Sequence, residues 1–190
     1  MNRLTVVIPV RKGGFPEITL RTLAQQSYQE FEIVVAWDEQ ANANWARNQG
    51  FRLVRTPFVL FSDDDIEWEP EALRALMATL NNHPEASYAY GAYELDNGIH
   101  CDQRFDEKKL RRGNFISTMA LIRTDDFPGF DEEIQRLQDW DLWLTMLEQG
   151  NTGAYCGRLT FRTVKRAGIT FGPGISWREA ERAVKVKHGL

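Results

Sequence analysis

The sequence predicts an α/β protein with helices on both faces of a mixed, mainly parallel central sheet. A β-branched apolar run from Leu4 to Val10 opens the chain and reads as a strand buried on both faces. Two further apolar runs, Phe31 to Ala36 and Phe58 to Phe61, alternate with stretches of helical spacing, which is the order of parallel strands joined by helical crossovers. The second half reads differently. There the strand-like runs Ser87 to Tyr93 and Phe115 to Ile122 precede a helical stripe, so a mixed sheet fits better than a purely parallel one.

Each element has its own signal. Leu20, Leu23, Ala24 and Ser27 fall at helical spacing behind Pro16, a residue suited to a first helical turn. The second strand ends on Trp37 and Asp38, and a short polar helix is expected over Asn42 to Gln49. The third strand stops abruptly at Ser62 and Asp63-Asp64-Asp65. Near Pro70 a helix begins whose Leu73, Leu76, Met77 and Leu80 put one stripe against the sheet. Trp140, Trp143, Leu144 and Leu147 form another stripe, closed by Gly150. Beyond Gly172-Pro173-Gly174 the chain turns polar, with weak helical spacing at Ala180, Ala183 and Val184. The expected organisation is one domain over residues 1–171, then a polar segment over 172–190, a candidate for a mobile lid or tail on the acceptor side.

At 190 residues the chain is long enough for one proper core and short for two. Hydrophobic content of 43% without a bilayer-length apolar tract predicts a soluble protein. The N-terminus runs at once into a core strand, leaving no room for a signal peptide, so a cytoplasmic location is expected. Cys101 and Cys156 lie outside any metal-ligand spacing and read as reduced thiols. A net charge of -4 argues against a dedicated nucleic-acid binder. Two basic clusters stand out: Lys108, Lys109, Arg111 and Arg112, then Arg178, Arg182, Lys185 and Lys187. Each reads as a solvated face or as a surface for an anionic acceptor or a membrane.

Three carboxylates at the end of a buried strand repel one another unless a cation or a proton sits among them. Mn²⁺ or Mg²⁺ would relieve this, since such ions take oxygen ligands and favour one or two carboxylates plus substrate phosphates. Strand ends are also where ligands bind in open α/β sheets. Asp38 ends the second strand on the same edge, where it could accept bonds from a ribose or a base, or simply form a turn. Asp139 and Asp141 open the helix of Trp140 and Trp143. Acidic residues are favoured there by the helix dipole, and a carboxylate so placed could also serve as a general base.

Together these segments resemble the family 2 glycosyltransferases of the GT-A fold, a Rossmann-type α/β/α sandwich, over roughly Leu4 to Gly150. Val6-Val7-Ile8-Pro9-Val10 looks like the first strand of the family, and Leu23 to Tyr28 with Phe31 to Val35 is similar to its first helix and second strand. Ala46-Arg47-Asn48-Gln49-Gly50 matches the segment before the metal strand. Phe61-Ser62-Asp63-Asp64-Asp65 matches the Asp-x-Asp position, and Gln138 to Leu144 resembles the acidic segment of the base.

The resemblance implies inverting transfer of one sugar from a nucleotide diphosphate sugar, with UDP the expected nucleotide, to a saccharide or other hydroxyl acceptor. Pro9 and Val10 would line the nucleotide pocket, and Asp38 would bond the base or ribose. Arg11, Arg47, Asp63 and Asp64 join them as donor-binding residues. Asp65, with Asp63, would hold the metal, and Asp139 would be the base. Trp177 is a candidate to stack on an acceptor sugar, and Trp140 is another, although its helical spacing fits the core better. Gln138 stands where the family usually has Glu, and the Gln-x-x-Arg-Trp signature of processive relatives is absent. A sugar nucleotidyltransferase, hinted at by Arg11-Lys12-Gly13-Gly14, and a non-catalytic nucleotide- or glycan-binding module are the rival readings.

Overall fold

The structure, a computed structural model, describes residues 3–95, 98–164 and 175–190. The opening apolar run forms β1 (Leu4–Arg11), which pairs in parallel with β2 (Phe31–Asp38) and β3 (Phe58–Phe61). The crossovers carry α1 (Glu17–Ala24) and α2 (Ala43–Phe51). After β3 come β4 (Ile66–Trp68), α3 (Ala72–Asn82), β5 (Tyr88–Leu95) and β6 (Gly98–His100). The remainder is α4 (Glu107–Arg112), β7 (Leu121–Arg123), α5 (Gln138–Glu148), β8 (Gly153–Thr163) and α6 (Trp177–Lys187).

One eight-stranded sheet results, in the order β2-β1-β3-β7-β5-β8-β4, with β6 paired to β5. The expectation of a mainly parallel sheet is corrected. β1–β2, β1–β3 and β5–β8 run parallel, but β3–β7, β4–β8, β5–β6 and β5–β7 run antiparallel. The physical reason lies in β7. A parallel neighbour needs a crossover laid on the sheet face, whereas α4 packs against α5 and β7 enters between β3 and β5 from a loop.

Alternation along the strands builds a core on each face of the sheet. Leu4, Val6, Ile8 and Val10 meet Leu23 of α1 and the Leu73, Leu76, Met77 and Leu80 stripe of α3. On the other face Val7 joins a cluster with Tyr88, Trp140, Trp143, Leu144 and Val184. The Tyr88 and Trp143 rings stack there at 4.4 Å.

Gly50 shows how closely α2 lies on the sheet. A Cβ at this position would stand 2.4 Å from Val7 Cγ1 and 3.1 Å from the Ala36 methyl. Neither contact can yield without moving a strand, so Gly50→Ala is expected to destabilise the fold by about 1–3 kcal/mol, read as a lower midpoint in chemical denaturation. An unchanged midpoint would show that the helix can lift off the sheet.

The strand expected over Phe115 to Ile122 shortens to Leu121–Arg123. The preceding loop turns its polar groups toward side chains instead, and the Ile116 carbonyl accepts from Trp143 Nε1 at 2.9 Å and from Asn114 Nδ2 at 3.0 Å. At the C-terminus α6 starts with a Ser176–Glu179 capping box and buries Ala180 and Val184. Gly172-Pro173-Gly174 and the boundary between 171 and 172 lie outside the described residues. Among the described residues both cysteines are free thiols, and no helix is long and apolar enough to cross a membrane.

Candidate active site

The parallel register of β1, β2 and β3 brings their C-terminal ends to one edge of the sheet. Arg11 lies opposite Asp38, and Val7 opposite Phe61, the last residue before Ser62 and the aspartates. Pro9 and Val10 are buried beneath this edge while Arg11 is exposed on it. Asp38 is buried and forms a turn, its Oδ1 accepting from the backbone N–H groups of Gln40 at 3.2 Å and Asn42 at 2.9 Å. The Arg11–Gly14 turn folds over the acidic segment, and a Cβ at Gly14 would stand 3.8 Å from Asp64 Oδ2. Thr19 of α1 donates to the Asp63 carbonyl at 2.9 Å, and Trp68 donates from Nε1 to Ser62 Oγ at 2.9 Å, anchoring the base of that segment.

The polar face of α2 connects this edge to the second half of the chain. Arg47 is buried, yet it donates from Nη2 to Asp63 Oδ1 at 2.7 Å and from Nη1 to Asn44 Oδ1 at 3.0 Å. Its guanidinium lies 5.3 Å from the centre of the Phe130 ring, and its Nε–H is buried without a partner among the described residues. Asn44 donates to the carbonyls of Asp131 and Ile134 at 2.8 and 2.9 Å. Asn48 donates to the Phe130 carbonyl at 2.9 Å and accepts from the Phe130 N–H at 2.9 Å. These three residues occupy positions i, i+3 and i+4, one helix face, and they grip the loop that leads into α5.

That grip places Asp139 in the first turn of α5. Its Oδ1 accepts from the Trp140 N–H at 2.9 Å and its Oδ2 from Asn114 Nδ2 at 2.7 Å. Burial pushes the carboxyl up to about 6, and the negative charge of Asp63 adds to the rise. The backbone bonds and the Arg47 guanidinium pull the other way. Asp139 therefore feels both Arg47 and Asp63, so residues from three separate segments share one local field.

Residues 38–128 match the family model described as Glycosyl transferase family 2. The structure of S. aureus TarS 1-349 in complex with UDP-GlcNAc superposes with a TM-score of 0.75 at 18% identity, covering 98% of this chain and 66% of that one. The chain has the family 2 glycosyltransferase fold. A second structure of S. aureus TarS 1-349 gives a TM-score of 0.69 at 18% identity, over 86% of this chain and 60% of that one. In sequence, 146 residues are 26% identical to the uncharacterized protein y4gI of Sinorhizobium fredii, covering 70% of this chain and 16% of that protein. The family 2 fold described here thus spans less than two thirds of the length of these relatives.

The remaining candidates are placed as follows. Trp140 fills the core at 2% exposure, its indole N–H donating to the Leu110 carbonyl at 2.6 Å. Trp177 is 55% exposed at the start of α6, 5.2 Å beneath the Arg136 guanidinium. Asp141 is buried in a charged cluster with Lys187 and His188, and the second ring nitrogen of His188 meets Glu148 at 2.8 Å. Among the described residues no group of three or more His, Cys, Asp or Glu side chains is placed to hold a metal ion. Asn44, Asn114 and Phe130 were not singled out from the sequence, and Asn48 only within the Ala46-to-Gly50 match. The signal for Asn44 and Asn48 was available, since Asn44, Arg47 and Asn48 share a polar helix face opposite Ala46 and Gly50. Nothing local distinguishes Asn114.

Proposed function

We propose that this domain transfers one sugar from a nucleoside diphosphate sugar, with UDP as the nucleotide, to a hydroxyl acceptor with inversion at the anomeric carbon. The convergence of Arg47, Asp63 and Asp139 carries the reading. Inverting transfer needs a base at the acceptor oxygen and stabilisation of charge on the departing diphosphate. The acceptor hydroxyl gives its proton to Asp139 as its oxygen bonds to the anomeric carbon. The bond from that carbon to the diphosphate breaks, and its electron pair leaves with the diphosphate. A carboxyl lifted to about 6 is ionised at neutral pH yet more basic than an ordinary aspartate.

Asp38, Asp63, Asp64 and Arg11, above the buried Pro9 and Val10, are assigned to the donor. The fold shared with the TarS structure that holds UDP-GlcNAc supports a uridine nucleotide. Asp63 Oδ1 is engaged by Arg47, so Asp65 and the second oxygen of Asp63 are the protein oxygens assigned to Mn²⁺ or Mg²⁺. Two carboxylates and substrate phosphates suit these ions. A divalent cation held there would neutralise charge growing on the leaving diphosphate.

The test is a calorimetric titration of UDP, GDP, TDP and CDP into the protein, with Mn²⁺ and with chelator. UDP is expected to bind in a metal-dependent manner and the others more weakly. Absence of binding to every nucleotide, in folded protein, would overturn the reading. Nucleotide binding without transfer to any of a broad acceptor panel would favour the non-catalytic module.

A further inference from the structure

We propose that the outward face of α6 and the adjoining end of α4 form a docking surface for an anionic lipid bilayer. The two basic clusters are far apart in sequence, yet the fold joins them. Lys108, Arg111 and Arg112 of α4 and Lys185 of α6 line one open groove of about 600 Å³ together with Leu190. The inward face of α6 is settled by packing, since Ala180, Val184 and His188 are buried. At 100° per residue, Arg178, Arg182 and Val186 then fall on the outward face, and half-buried Lys185 on the flank.

Four of the charges on this surface are available. Arg111 is paired with Glu107 and Lys185 with Glu181, and Lys187 is committed to Asp131 and Asp141. Lys108, Arg112, Arg178 and Arg182 are exposed, and none has a carboxylate partner among the described residues. Two apolar side chains sit among these cations, Val186 at 73% and Leu190 at 43% exposure. A basic helix face carrying a few apolar tips is the pattern of interfacial membrane binding, in which cations meet anionic headgroups and apolar groups enter shallowly.

A bilayer fits better than a long soluble polyanion because the whole chain carries a net charge of -4. A plane of headgroups touches only the basic face and leaves the acidic remainder turned away, whereas a wrapping polyanion would meet both. Arg112 precedes by two residues Asn114, which bonds Asp139, so a docked bilayer lies beside the segment that holds that aspartate. The proposal does not depend on sugar transfer.

Flotation of the protein with vesicles of phosphatidylcholine alone, and with vesicles containing phosphatidylglycerol, tests it. Binding is expected only to the anionic vesicles and should weaken with salt. Each removed cation is expected to lower partitioning about fivefold, so the combined Lys108→Ala, Arg112→Ala and Arg182→Ala variant loses about a hundredfold. Arg182→Ala alone, on an exposed side chain, gives the about fivefold loss even if the combined variant folds poorly. Both variants are expected to keep the wild-type response to UDP in the titration above. Equal binding to neutral and anionic vesicles would overturn the proposal, as would unchanged binding by Arg182→Ala. Binding to polyphosphate or DNA with none to vesicles would also overturn it and would assign the face to a soluble polyanion.

Discussion

Asp139→Asn is expected to lower turnover by about 10²–10⁴-fold while leaving donor binding intact. The amide is close in shape to the carboxylate and can still accept from Asn114, which now holds Asp139 Oδ2 at 2.7 Å. What it lacks is the capacity to take a proton. The same variant should gain stability at neutral pH. The Asp139 carboxyl is raised from 3.8 to about 6 in the folded protein, so ionising it opposes folding. At pH below the unfolded value both states are protonated and nothing is lost. As pH rises toward the folded value the penalty grows, and above it the penalty is constant, at most about 3 kcal/mol at ~1.4 kcal/mol per pH unit. Asn carries no such penalty, but its single oxygen cannot replace both acceptors, so its NH2 faces the Trp140 N–H that donates to Asp139 Oδ1 at 2.9 Å, which costs about 1 kcal/mol. Thermal melts should place the variant at most about 2 kcal/mol above wild type at neutral pH and slightly below it in acid. A variant less stable than wild type at both extremes would mean that the carboxylate is a structural partner and not a strained base. In wild type the rate should rise with pH through about 6, since the ionised form is the proposed base.

Much of the first half was legible because β1, β3 and α3 bury a regular pattern. Leu4 to Val10 and Phe58 to Phe61 are almost wholly buried, and the α3 stripe faces one core. Sequence pattern reports burial, and there burial and structure coincide. β8 escaped because Gly153–Thr163 is only partly buried, contains Gly157 at φ +75°, and slips its register against β5. An amphipathic period cannot survive such a break. α6 looked weak for a related reason: its buried face is only Ala180, Val184 and His188, with ionic contacts supplying the rest of the anchor.

The site divides the same way. The aspartates and Asp139 announce themselves as charge where charge is costly. The residues that position them are neutral amides, whose partners are loop carbonyls distant in sequence. Asn114 to Asp139 and Asn48 to Phe130 are contacts that exist only once the chain has closed. Trp140 illustrates an ambiguity of residue type: an aromatic ring suited to a sugar face is also suited to a core, and burial at 2% places it in the core that its helical spacing favours.

Arg47→Met should move the acidic limb of the pH–rate profile upward, above the wild-type value near 6. Two effects act in the same direction. The guanidinium now lowers the Asp139 pKa, so its loss raises it, and Asp63, no longer paired at 2.7 Å, presents its full negative charge to the same carboxyl. Activity at neutral pH falls, and alkaline buffer restores part of it. Donor affinity should also fall, roughly 10–100-fold, because Asp63 loses the partner that fixes its rotamer. Stability is expected to drop by about 1–3 kcal/mol through the lost bonds to Asn44 and Asp63, a moderate loss because Asp63, 40% exposed, remains solvated. Arg47→Lys separates charge from geometry. It keeps the cation but cannot span Asn44 and Asp63 with one fork, so its limb should stay near wild type while its donor affinity falls with that of the Met variant. If both variants leave the limb in place, Arg47 acts on the loop at Phe130 alone and the shared field of Arg47, Asp63 and Asp139 has no part in setting the base.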